Sequence, residues 1–309
     1  MELSALNHIE PYQLTDFEAD IFITTLGFES RCTSIARQLE NVHCRKIALA
    51  RSDHIKEFSF RENKAYYTEK SFEIIPVETR VPDVGSIMED FSGDNINIIF
   101  DCTSMSPRWY FEFFRWFGEN QDDYVSVTMR IVYTMAAYMD QNQSRKVRKV
   151  EEFLSVDTNN KKRKKKKALL MGLGHEKNIC ETIYKIVKPD LLYLYYTDPP
   201  VDKQFVEDIF VNNHALINST PIRNLIAYPV RNGQSIYQSL IDTILPLRDE
   251  YTITLIPQGP KIFSVVTMLL HLGYPDTTIS YPVFSKPPAT DRYPSGDPVI
   301  MDVLFEGEE

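Results

Sequence analysis

The stretch that most constrains the fold is residues 95–109. An apolar run, Ile96 to Phe100, ends in Asp101, passes through Cys102-Thr-Ser-Met-Ser106 and meets Pro107, after which an aromatic-rich run extends from Trp109 to Phe117. This reads as a buried strand, a tight turn and a helix with proline in its first turn. Proline fits there because the first helical N–H groups have no partner within the helix. Thr103, Ser104 and Ser106 are each able to cap that start, and the free N–H groups would point at whatever sits above the strand end. A helix N-terminus at the carboxyl end of a parallel strand is a ready-made anion site.

Around this unit the chain alternates β-rich and helical stretches. Strands are predicted at Asp20–Leu26, Arg45–Ala50, Phe72–Val77 and Tyr124–Tyr133, with helices at Cys32–Leu39 and Val84–Phe91. Residues 1–19 read as a cap or arm, and 51–70 have no clear period. After residue 167 the pattern restarts. Strands are predicted at Ala168–Gly172, Asp190–Tyr196, Asn224–Val230, Tyr251–Ile256 and Thr278–Phe284. Helices are predicted near Ile179–Val187, Val201–Val211, Gly233–Leu245 and Ile262–Leu272, and Val299–Phe305 reads as an edge strand. Strands alternating with helices at this spacing predict an α/β protein of two similar Rossmann-like halves, each a mostly parallel sheet flanked by helices. The predicted division is 1–140 for the first half, 141–167 for a charged linker and 168–309 for the second half.

Composition narrows the function classes. A net charge of −9 argues against a general duplex-DNA binder, which needs a basic face. No apolar run reaches the ~20 residues of a membrane helix, and no basic segment followed by an apolar core opens the chain. A cytoplasmic protein without membrane contact is expected. The four cysteines, Cys32, Cys44, Cys102 and Cys180, are scattered and read as reduced thiols. The six histidines form neither H-x-H nor H-E-x-x-H, so neither a metal nor a resident cofactor is expected. The seven basic residues Lys161 to Lys167 self-repel and read as a solvated loop, with an RNA or nucleotide contact as the sharper alternative.

The halves match in the order of their elements. Phe22–Arg31 corresponds to Ala168–Lys177, and Ile98–Met105 to Thr254–Lys261. Packed together, they would bring four strand-end turns to one cleft, with hydroxyls (Thr24, Thr25, Ser30, Thr103, Ser104) and cations (Arg31, Arg108, Lys177, Lys261). Bidentate arginine, point-charge lysine and helix N-termini are phosphate-recognition chemistry.

With its turns Thr25-Leu-Gly-Phe-Glu-Ser30, Asp101-Cys-Thr-Ser-Met105, Gly172-Leu-Gly-His175 and Gln258-Gly-Pro-Lys261, the chain resembles the CRISPR-associated Rossmann fold (CARF) domains. It also resembles their fused two-half relatives, the SAVED domains of prokaryotic antiviral defence. The likeness is one of pattern across residues 20–284. Gly259-Pro-Lys261 keeps the glycine and lysine usual after the fourth strand, whereas Asp101-Cys-Thr-Ser-Met105 has neither. The resemblance implies binding of a nucleotide or cyclic oligonucleotide signal, with a protein effector or RNA as further partner. The expected ligand contacts are Thr25, Gly27, Arg31, Thr103, Ser104, Arg108, Gly174, His175, Gly259 and Lys261.

Other readings compete. Glu29, Asp101 or His175 are candidate acid/base residues for an enzyme that cleaves or transfers at a nucleotide. Glu29 is equally able to pair with Arg31, and Asp101 to serve as a turn residue. Gly172-Leu-Gly174 lacks the third glycine of a dinucleotide fingerprint. The aromatic helix 109–117 is expected to pack between halves or on a homodimer mate. The proline-rich loop 285–298 reads as a surface connection, or as a lid carrying Arg292 and Tyr293. A noncatalytic subunit of a defence complex is the third class.

Overall fold

A computed structural model describes residues 2–51, 55–91, 93–120, 124–139, 146–154, 165–285 and 289–307. Lys161 to Lys164 of the basic run, most of the 141–167 linker, His54 and residues 286–288 lie outside the described residues. The chain divides into two compact units. One comprises Met1–Ala137, Arg231–Gln234 and Ala289–Glu309, and the other Tyr138–Val230 and Ser235–Pro288.

In the first unit, strands β1 (Glu2–Ile9), β2 (Ile21–Leu26), β3 (Arg45–Arg51), β4 (Glu73–Val77), β5 (Asn95–Asp101) and β6 (Ser126–Tyr133) alternate with helices α1 (Ser34–Gln38), α2 (Phe60–Glu69), α3 (Val84–Met88) and α4 (Pro107–Glu119). The second unit holds β7 (Val147–Leu154), β8 (Lys166–Gly172), α5 (Ile179–Val187), β9 (Leu191–Thr197), α6 (Lys203–Asn212), α7 (His214–Ser219), β10 (Leu225–Tyr228), most of α8 (Gly233–Ile244), β11 (Tyr251–Ile256), α9 (Lys261–Gly273) and β12 (Thr278–Phe284). The last strand, β13 (Val299–Glu306), returns to the first unit.

The first sheet runs β1-β13-β6-β5-β2-β3-β4, and the second β10-β9-β8-β11-β12-β7. Numbered from its own first parallel strand, each sheet has the order 3-2-1-4-5 followed by an antiparallel strand. This is the Rossmann order, so both halves have the predicted architecture. The added strand is exchanged. β7 follows β6 in sequence yet pairs with β12, and β13 follows β12 yet pairs with β6. The second half is therefore not the continuous segment 168–309. Val299–Glu306 is also no edge strand, because it pairs with β6 on one side and β1 on the other. Val299, Met301, Val303 and Phe305 bury one of its faces throughout, and Ile300 buries the start of the other.

Three further expectations change. Residues 1–19 contribute β1, paired antiparallel to β13. The unassigned stretch 51–70 holds α2, which buries Phe60, Tyr66 and Tyr67, and whose many charges mask the period. The linker contains β7, whose apolar Val147, Val150 and Phe153 stand three apart among lysines and glutamates and so lack strand alternation.

The aromatic helix packs on its own sheet. Trp109, Tyr110, Phe111, Phe113, Phe114 and Phe117 are buried. Phe113 and Phe114 meet Phe100 with ring centroids 5.0 and 6.0 Å apart, and Phe117 meets Phe305 at 6.3 Å. Two helix layers explain this density. α1 and α2 cover the side of Phe22, Ala48 and Ile99, and α4 covers the side of Phe100. In the second unit, α5, α6 and α7 bury Ile179, Ile183, Ile209 and Leu216 against Leu169 and Met171. All four cysteines are free thiols, as expected.

Candidate functional site

Strand order reverses between β2 and β5 in the first unit and between β8 and β11 in the second. At such a point the two connecting turns diverge to opposite faces, and ligands of open α/β sheets bind in the crevice left at the carboxyl ends.

In the first unit the β2 turn, 27–31, lies against the β5 turn, 102–106. A Cβ on Gly27 would stand 3.0 Å from Ser104 Cβ, so this residue must be small. The Thr24 hydroxyl donates to Asp101 Oδ2 at 2.9 Å and lies 3.4 Å from the Tyr67 hydroxyl, which places Thr24 on the α2 side. Strand alternation then turns Thr25 to the α4 side, beside Phe100 and Cys102. Thr25 is fully buried, and its hydroxyl has no hydrogen-bond partner among the described residues. The Ser104 hydroxyl, in the turn that enters α4, is buried too, with the Cys32 thiol as its neighbour. Ser106, the residue preceding α4, makes no side-chain cap to the helix. A thirteen-residue helix therefore starts without a side-chain cap beside a strand, β2, that carries the unsatisfied hydroxyl of Thr25. A buried hydroxyl without a partner costs roughly 1–3 kcal/mol, which a protein seldom tolerates without a use.

The other polar groups of these turns serve their own chain. Asp101 accepts from Thr24 and from the Thr103 N–H at 2.9 Å, and Thr103 Oγ1 accepts from the Thr134 N–H at 2.9 Å. Arg31 is 2% exposed. Its Nε donates to Glu29 Oε2 at 2.8 Å and a terminal nitrogen donates to the Thr134 carbonyl at 2.7 Å. Burial works against its charge, yet Tyr133 and Glu29 more than offset that, and its pKa is raised. Glu29 also receives Arg292 at 3.1 Å.

Arg292 belongs to a strap, residues 289–298. Asp291 accepts from the Ser30 N–H at 2.7 Å and hydroxyl at 2.6 Å, and the Arg292 carbonyl accepts from the Arg31 N–H at 3.1 Å. Further along, the Tyr293 carbonyl accepts from Ala137 N–H and Ser295 N–H donates to Met135. The strap thus closes over the ends of β2 and β6, with Arg292 held on Glu29 and Tyr293 exposed.

In the second unit glycine serves contact between turns. A Cβ on Gly172 would lie 2.3 Å from the Gln258 carbonyl oxygen. Gly259, at φ +90°, would place one 2.8 Å from the Leu173 carbonyl oxygen, whereas at Gly174 the nearest atom is Gly259 N at 3.7 Å. His175 has its ring edge-on to Phe205, with centroids 5.1 Å apart, and its carbonyl accepts from Asn212. Lys261, partly exposed, opens α9, as Arg108 does in the first turn of α4. Each unit therefore gathers its own predicted residues at its own switch point: Thr25, Gly27, Arg31, Thr103, Ser104 and Arg108 in one, Gly174, His175, Gly259 and Lys261 in the other.

The turns share one more feature. Cys32 accepts from the Gly27 N–H at 3.2 Å, and Cys180 is bonded in the same way to Gly174. Burial pushes both thiols up to about 11, so they are neutral packing groups. Sequence reasoning passed over Arg51 at the end of β3. Its guanidinium lies over the Trp109 ring, 5.8 Å from the centroid. The signal was its position as the last residue of a strand, 24 residues after Gly27.

The fold and switch points define an α/β protein of two Rossmann-like halves. No family model matches the chain, and no curated protein matches it. Among solved structures, the cytoplasmic domain of a prokaryotic cation chloride cotransporter is similar over 86% of this chain and 95% of that one, at 9% identity and a TM-score of 0.25, a likeness that carries no argument. Among the described residues no helix is long and apolar enough to cross a membrane, and no cluster of metal-ligating side chains occurs.

Proposed function

We propose that the first unit binds a phosphorylated nucleotide at its switch point, with a phosphate on the N-terminus of α4 and the hydroxyls of Thr25 and Ser104 completing its shell. The observation that supports this is the buried, unpartnered hydroxyl of Thr25, with the buried Ser104 hydroxyl, at the turns that meet at the start of a long helix without a side-chain cap. Arg108, in the first helical turn, adds positive charge there. The ligand class is that of the CARF and SAVED resemblance, a nucleotide signal that is sensed and released. Glu29 and Asp101 are committed to internal partners, so nothing in their surroundings favours acid/base work.

Isothermal titration of the folded protein with mononucleotides, linear oligonucleotides and cyclic oligonucleotides tests the reading. Micromolar or tighter binding of at least one phosphorylated member is expected, and the nucleosides alone should not bind. No binding at high micromolar concentration would overturn it, and a product in place of the recovered ligand would turn the site into an enzyme.

A further inference from the structure

We infer that the second unit carries a groove for a free α-amino acid with a large apolar side chain, between the outer strands of its sheet and α8. The groove holds about 510 Å³ and is lined by Tyr193 of β9, Ile226 of β10, Arg223 just before β10, and Gln238, Ser239 and Asp242 of α8. That volume suits a small-molecule ligand. Its apolar floor follows from the strand register. Ile226 pairs with Tyr195, so their side chains share a face, and Tyr193 lies on that same face two residues before Tyr195. The Tyr195 hydroxyl donates to Thr243 Oγ1 at 2.7 Å, and the Thr243 hydroxyl donates to the Ser239 carbonyl at 2.9 Å. These bonds identify the face as the α8 side and tie the helix to it.

The α8 wall is polar where a helix laid on a sheet is expected to be apolar. Ile236, Leu240 and Ile244 are buried, but Ser235, Ser239 and Asp242 form a stripe beside them at i, i+4 and i+7, and that stripe lines the groove. Opposite charges stand on the same groove without pairing. Arg223 has no acidic partner among the described residues. Asp242 accepts at Oδ1 from Gln238 Nε2 at 2.8 Å, which orients the carboxylate and leaves Oδ2 for a ligand. An ammonium seats on Asp242, a carboxylate takes the fork of Arg223, and the side chain lies on Tyr193 and Ile226. A ligand that carries both charges on one carbon bridges the two groups that the fold leaves apart, whereas an ion of one sign satisfies only one of them. The groove lies wholly in the second unit, so it stands or falls independently of the nucleotide site in the first.

The test titrates the full chain calorimetrically with L-phenylalanine, phenethylamine, which lacks the carboxylate, and hydrocinnamate, which lacks the ammonium. Phenylalanine is expected to bind with a dissociation constant of about 1 mM or below, and about tenfold more tightly than either analogue. Arg223→Gln should lower phenylalanine affinity to that of phenethylamine, and Asp242→Asn should lower it to that of hydrocinnamate. Both residues are exposed, so neither change disturbs the core. Nucleotide affinity should be the same in both variants as in the native chain. Equal affinity of the three probes overturns the inference, as does native phenylalanine affinity in both variants. So does the absence of phenylalanine binding at about 10 mM, or alanine binding as tightly as phenylalanine.

Discussion

Thr25 carries the sharpest residue-scale consequence. Its hydroxyl is buried and unpartnered, so replacing it with the isosteric Thr25→Val relieves a desolvation penalty. The variant should be more stable than the native chain, by roughly 1 kcal/mol in urea unfolding, while nucleotide affinity falls about tenfold. Stability and binding moving in opposite directions is the mark of a group kept for a ligand. The buried thiols give a second consequence. Cys32 and Cys180 stay protonated to about pH 11 in the fold, against about 9 when unfolded. Above pH 9 the unfolded chain releases protons that the folded chain retains, so stability is lost as pH rises from 9 to about 11. Each thiol contributes roughly 2–3 kcal/mol to that loss. Cys32→Ser keeps a donor and acceptor beneath Gly27 and removes the titration. Its thermal midpoint should therefore fall less than the native one between pH 8.5 and 10.5.

At the scale of elements, the strap 289–298 decides access to the β2 turn. Two hydrogen bonds to Asp291, from the Ser30 N–H and the Ser30 hydroxyl, hold it there. Asp291→Ala should speed hydrogen exchange at Ser30 and Arg31 and expose the strap to protease, at a cost of about 2 kcal/mol. The strand–turn–helix units were legible because their apolar runs are dense and end at Asp101, Gly27 or Gly172. The predicted helices 32–39, 233–245 and 262–272 fall on α1, α8 and α9 for the same reason. α2 and β7 were not legible, since half-exposed elements rich in Lys and Glu lose their period. The strap was legible only as a loop, because the partners of Asp291 and Arg292 stand some 260 residues away in the chain. No local pattern encodes such a pairing, and separations of 103 and 102 residues likewise hid the ties of Arg31 to Thr134 and Tyr133.

For the whole molecule the exchange of β7 and β13 governs folding. β6 is an interior strand only when β13 pairs with it. A chain ending at residue 140 leaves a long apolar edge at Val127, Met129 and Ile131 and should aggregate. Because Ala137 N–H reaches the Tyr293 carbonyl, residues 1–137 joined by a short flexible linker to 289–309 should yield a soluble, cooperatively melting unit. Aggregation of the joined chain, or folding of 1–140 alone, would contradict the role given to β13. The sequence supports two halves by repeated element order, but exchange leaves no trace in it, since a swapped strand has the composition of an unswapped one.

The most direct measurement of the central claim is amide hydrogen exchange of the full chain, with and without a saturating nucleotide. Slowed exchange is expected in residues 102–110, where the β5 turn enters α4, and in 25–28, with the helices of the opposite face unchanged. A bound nucleotide that slows exchange elsewhere and leaves 102–110 unaltered would contradict a phosphate on the N-terminus of α4.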